Sequence, residues 1–166
     1  MTSATSVEVD GSTRVTWRNH AATIPEAEEV HARPPARSAR PGRTPSPVVD
    51  APPPLRVDAD VLRIARFAAI NEELSLQHID KDFARNRLRL PTTNVMGWLK
   101  LGLLATMLDL WAGFGAVRRL EARYLGIDFA GDVLTAAAAR EGGTFTLAIT
   151  NKRGETNTVG RAELAP

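Results

Sequence analysis

The run VMGWLKLGLLATMLDL, residues 95–110, decides how this chain folds. Wound as a helix it is apolar on nearly every face, and such a helix belongs inside other structure rather than on a surface. It is short for a membrane span and carries Lys100 and Asp109, each costly at mid-bilayer, so no membrane partner is expected. The helix should stop near Gly113, and the pattern that follows is strand-like. VRRLEARYLGIDF (117–129), VLTAAAA (133–139), TFTLAITN (144–151) and TNTVGRAEL (156–164) are separated by the turn signals AGD, EGG and KRGE. This reads as an antiparallel meander. A central helix followed by successive strands predicts an α+β architecture in which one curved antiparallel sheet wraps the helix.

Upstream, Asp58 can cap a helix over DADVLRIARFAAINEEL (58–74), where Val61, Ile64, Ala65, Ala68 and Ala69 supply helical periodicity. This helix delivers the polar cluster ELSLQH, residues 73–78. A second short helix is expected over Lys81–Arg87, after which PTTN (91–94) leads to the start of the long apolar helix.

The chain has 166 residues, enough for one ordinary domain with a real core. From Pro25 to Pro54 the composition shifts to Pro, Ala, Arg and Ser, which resist helix and ladder formation. The expected organisation is therefore a proline-rich, mostly disordered tail over 1–50 and a folded domain over 51–166. Within that tail, SVEVDGSTRVTW (6–17) alternates around Asp10-Gly11, a hairpin signal, although an isolated hairpin is marginal in water. Arg33, Arg37, Arg40 and Arg43 sit among prolines without base-stacking aromatics, and the formal net charge is only +2, so a solvated linker is favoured over nucleic-acid binding.

The chain has no cysteine, which removes disulfides, thiolate nucleophiles and cysteine-ligated zinc. Its three histidines are scattered, so neither a metal site nor a cofactor is expected. The start, MTSATSVEVDG, lacks the basic residues and apolar run of a secretory signal, and a cytoplasmic location is expected. His78 is the only histidine beyond residue 31, so acid/base chemistry near neutral pH in the folded part falls to it. Glu73 is the nearest plausible carboxylate partner. A surface or helix-capping histidine is the alternative reading of His78, and a packing glycine under Trp98 or Trp111 is the alternative for Gly97.

These residues resemble the MaoC-like hydratases and dehydratases of the hot-dog fold, which act on acyl thioesters of coenzyme A or acyl carrier protein. The family commonly shows D-F-N-P-I-H, then an acidic residue and F-A. Here the run is Glu73-Leu-Ser-Leu-Gln-His78-Ile-Asp80-Lys-Asp-Phe83-Ala84. The family's H-G-M at the start of the hot-dog helix corresponds to Met96-Gly97-Trp98. Its D-W-A-G and R-R-L correspond to Leu110-Trp111-Ala112-Gly113 and Arg118-Arg119-Leu120, and its P-G-D turn to Ala130-Gly131-Asp132. The resemblance covers roughly residues 51 to 165. Within the family the chain looks most like small subunits of heteromeric enoyl-CoA hydratases of steroid side-chain degradation.

The resemblance implies that Glu73 and His78 form the acid/base pair for adding water to an enoyl thioester or removing it from a 3-hydroxyacyl thioester. It places Gly97, Ser75 and Met96 at the substrate. The Gly97 amide, in the first turn of the buried helix, lacks an intrahelical acceptor and sits at the positive end of the helix dipole, suited to a thioester carbonyl. Ser75 stands where the family has asparagine and Met96 where it has a second histidine; glutamate replaces aspartate at Glu73. These departures favour, as the alternative, a non-catalytic partner subunit. The expected assembly is a homodimer, or a heteromer with another hot-dog subunit.

Overall fold

A computed structural model of the protein describes residues 50–165 and, before them, the strands at 4–9 and 15–19. In chain order the elements are β1 (Ala4–Val9), β2 (Val15–Asn19), β3 (Leu55–Ala59), α1 (Val61–Ile70), α2 (Leu76–Ile79) and α3 (Lys81–Leu88). They continue with α4 (Gly97–Ala112), β4 (Val117–Tyr124), β5 (Asp132–Glu141), β6 (Thr144–Thr150) and β7 (Thr156–Leu164). The strands form one antiparallel sheet of order β2-β1-β4-β7-β6-β5-β3. The architecture is the expected α+β hot-dog, with a single sheet around α4.

The central helix buries one broad face against the sheet, while Thr106 and Leu110 on its other side stay exposed, so it is not covered on every face as its composition suggested. Leu99, Leu101, Leu103, Leu104, Met107 and Leu108 are all buried. They meet the inward residues of the strands, which alternate as a one-sided sheet requires: Leu120 and Ala122 on β4, Leu134 and Ala136 on β5, and Phe145, Leu147 and Ile149 on β6. The Trp111 ring meets Phe145 edge-on at 5.4 Å, an arrangement aromatic pairs favour. The helix ends where expected, because Gly113 takes φ 98°, a conformation that costs residues with a Cβ.

Three features of the sequence reading need correction. Asp58 does not cap a helix: it lies in β3, whose residues 55–59 pair with Asp132–Ala136 of β5. The cap is Asp60, whose carboxylate accepts from the Arg63 amide at 2.8 Å. Inward Leu55, Val57 and Ala59 have the period-2 spacing of a strand, masked in sequence by the helical run that begins two residues later. The strands after α4 are also not a simple meander. β5, β6 and β7 run in sequence, but β4 pairs with β7, and residues 125–131 carry the chain across to β5. Finally, α1 ends at Ile70, where Asn71 caps it, so the polar cluster lies in a separate turn and in α2.

The sheet also reaches back into the segment assigned to the tail. β1 and β2 pair as a hairpin in register Val7 to Trp17, and β1 adds to the free edge of β4 in register Val7 to Leu120. Docking onto a sheet supplies what an isolated hairpin lacks. Residues 20–49, most of the proline-rich stretch, lie outside the described residues. Among the described residues no helix is long and apolar enough to cross a membrane.

Candidate active site

His78 lies in the last turn of α2 and is only 5% exposed. Its ring is fixed at both nitrogens. Nδ1 lies 2.8 Å from the carbonyl oxygen of Asn94. A carbonyl can only accept, so Nδ1 carries the proton and donates. Nε2 then holds the lone pair, and it lies 3.2 Å from Gln77 Nε2, whose amide donates to it. The neutral imidazole therefore carries its lone pair on Nε2, the tautomer being set by the backbone partner on the other nitrogen, and that lone pair is open to a proton once the Gln77 amide gives way.

The backbone around Asn94 is held from two sides. Its amide donates to Gln77 O at 3.2 Å, and the residue forms an isolated antiparallel bridge with Phe129. On either side, the Val95 amide donates to Asp128 O at 2.8 Å and the Ala130 amide to Thr93 O at 2.9 Å. Residues 93–95 thus lie between the histidine and the 128–130 segment, and they run directly into α4. The helix starts at Gly97, with Met96 as an N-cap that supplies no side-chain bond. Its first-turn amides have no intrahelical acceptor and lie at the positive end of the helix. Thr93 Oγ1 and Asn94 Oδ1 are buried beside this entry with no hydrogen-bond partner among the described residues.

The other residues singled out from sequence fall around this entry in different ways. Glu73 is half-buried in the turn before α2; among the described residues no hydrogen bond links its carboxylate to His78. Ser75 is the N-cap position of α2, half-buried, and its hydroxyl makes no capping bond. Met96 is buried at 2% exposure. Gly97 is where it is because Tyr124 is there: a Cβ on residue 97 would come within 2.8 Å of the tyrosine ring carbons. The packing partner of this glycine across the fold is therefore Tyr124 rather than Trp111.

No family model matches the chain, and no curated protein matches it. Solved structures do. The ChsH1-ChsH2 complex from Mycobacterium tuberculosis superposes with a TM-score of 0.62 at 21% identity, over 69% of this chain and 94% of that one. The (R)-hydratase from A. caviae involved in PHA biosynthesis gives 0.61 at 23% identity, over 72% and 98%. A MaoC-like dehydratase from Phytophthora capsici gives 0.68 at 14% identity, over 99% and 68%.

The chain has the hot-dog fold of the MaoC-like hydratases and dehydratases. In this MaoC-like frame α4 is the hot-dog helix, and His78 approaches its first turn through Asn94.

The sequence reading missed a buried polar cluster beside that first turn. Lys100 Nζ lies 3.1 Å from Asp128 Oδ2 and donates to Gly126 O at 3.2 Å, and it sits 5.3 Å from the centre of the Tyr124 ring. The other Asp128 oxygen accepts from Asn157 at 2.8 Å and from Asn151 at 3.3 Å. Lys100 and Asp128 are 2% and 0% exposed. One signal could have pointed to it: a lysine in the buried first half of an apolar helix needs a buried counter-charge, and Asp128 lies in the segment that precedes a strand. By contrast Arg118 and Arg123 are exposed on β4, and Arg119 is bonded to Glu121 Oε1 through Nε at 2.9 Å.

Proposed function

We propose that the chain hydrates an enoyl thioester, or dehydrates the corresponding 3-hydroxyacyl thioester, carried on coenzyme A or acyl carrier protein. The observation that carries this reading is the buried His78, fixed as the Nδ1–H tautomer, one short linker away from the uncapped start of the hot-dog helix. In hydration, Nε2 takes a proton from water as its oxygen bonds to the β carbon. The electron pair of the double bond moves onto the thioester carbonyl as an enolate, and a proton is then delivered to the α carbon. Glu73 is assigned the second proton-transfer role and Ser75 a place beside the water. The Gly97 amide is assigned to the enolate oxygen, where a pre-aligned donor lowers the barrier by stabilising developing charge. Met96 lines the entry. A cysteine-free chain suits a cytoplasmic setting for such chemistry.

A second reading is a non-catalytic subunit that completes the site of another hot-dog chain. It is favoured by the lack of a Glu73–His78 hydrogen bond among the described residues and by the Tyr124 ring covering one side of Gly97. A heteromer is also the form of one structural neighbour, the ChsH1-ChsH2 complex. The test is loss of enoyl absorbance with a short and a bulky enoyl-CoA, using the purified chain and its His78→Ala and Glu73→Ala variants. Turnover abolished by both substitutions in folded protein supports the hydratase. No turnover by folded wild-type chain with either substrate refutes an autonomous hydratase and favours the partner subunit.

A further inference from the structure

A lysine four residues into a buried helix is badly placed on two counts. The positive end of the helix dipole opposes its charge, and burial strips its hydration. The chain meets both costs with a fully satisfied cluster: Asp128 and Gly126 O on the ammonium, the Tyr124 face beside it, and two asparagine amides on the remaining carboxylate oxygen. Well-packed apolar residues would generally serve stability as well as a buried ion pair, so what the pair adds is a specified geometry.

That geometry leads to the histidine. Asp128 is tied to α4 by its side chain, through Lys100, and to residue 95 by its backbone oxygen, through the Val95 amide. The next residue back, Asn94, supplies the carbonyl that accepts from His78 Nδ1. We propose that Lys100 and Asp128 are positioning residues: they pin the 93–96 linker so that the Asn94 carbonyl holds His78 as the Nδ1–H tautomer and leaves Nε2 as the base. Neither touches the substrate. The kinetic part of this proposal rests on the hydratase reading, whereas the tautomer part does not.

The test is the paired neutral variant Lys100→Met/Asp128→Asn in the full chain, which leaves no unpaired buried charge, with folding checked by circular dichroism. The first readout is the 15N NMR signature of the His78 ring at a pH where it is neutral, assigned by its loss in His78→Ala. Wild type should show Nδ1–H alone, and the variant a mixture of both tautomers. The second readout is enoyl-CoA hydration, where kcat should fall about tenfold or more with KM within about twofold, the pattern of a displaced base rather than a lost substrate contact. Asn157→Ala, which removes one donor to Asp128, is the milder variant should the pair fail to fold, and it should move the ring signature the same way. A folded variant in which His78 remains wholly Nδ1–H overturns the proposal, whatever its activity. Inactive wild-type protein with a shifted tautomer in the variant would instead refute autonomous catalysis and leave the positioning role standing.

Discussion

Gly97→Ala separates two roles for the glycine at the head of the hot-dog helix. The added Cβ would lie 2.8 Å from Cε2 and Cζ of Tyr124 and 3.2 Å from its hydroxyl oxygen. Carbon–carbon contacts settle at roughly 3.5–4.0 Å, so ring and helix start must part by about 0.7–1.2 Å. The clash falls on the far end of the Tyr124 ring, and turning the ring aside would disturb the face that lies beside Lys100. Overpacking of this kind costs about 1–3 kcal/mol. Urea denaturation followed by circular dichroism should register that loss as a lower midpoint at unchanged slope. In a Tyr124→Leu background the obstacle is gone, and the cost of Gly97→Ala should shrink by about 1 kcal/mol or more, a coupling that a double-mutant cycle isolates. The same movement displaces the first-turn amide, so hydration should drop by up to about 10²-fold. Equal costs in both backgrounds would refute the packing argument. A fully stable but inactive Gly97→Ala would show that the glycine serves close approach of a substrate.

Three further outcomes are expected. Asp60→Ala should cost about 1 kcal/mol by thermal denaturation, because it removes the carboxylate that caps α1, while Asp58→Ala should change little. Lys100→Met alone should cost about 3–5 kcal/mol in chemical denaturation by stranding the Asp128 carboxylate, and the Lys100→Met/Asp128→Asn pair should recover much of that loss. Asp109, in the last turn of α4, has its carboxyl held above the usual range by burial, which outweighs the hydrogen bond from the Gly115 amide. A raised native pKa means that the native state holds this proton more tightly than the unfolded chain. Its contribution is therefore favourable below the unfolded value and is lost as pH rises through the native one. Asp109→Asn should raise stability at pH 7 by about 0.5 kcal/mol, an advantage that fades as pH falls through the carboxylate range in thermal melts.

The sequence by itself determined that residues 95–110 form a helix with a broad buried face, because so much apolar surface is driven out of water, and it determined the stop at Gly113; that Thr106 and Leu110 stay exposed was not foreseen. It also determined three of the strands closely, β5, β6 and β7, between clear turn signals, and the start of β4, which ends at Tyr124 rather than running on to Phe129. The likeness to the MaoC-like family lay in short motifs around His78, Gly97 and Arg118-Arg119. What only tertiary structure decided are the relations between distant backbone segments. β3 was hidden because five residues abutting a helix have too little pattern of their own, and only pairing with β5 makes them a strand. The placement of β4 beside β7 depends on where residues 125–131 cross, which local sequence does not encode. At the site, His78 bonds to a carbonyl sixteen positions away and Lys100 to a carboxylate twenty-eight positions away. Hydrogen bonds and ion pairs of that span follow from the closing of the sheet around α4, which brings together groups whose spacing along the chain carries no periodic signal.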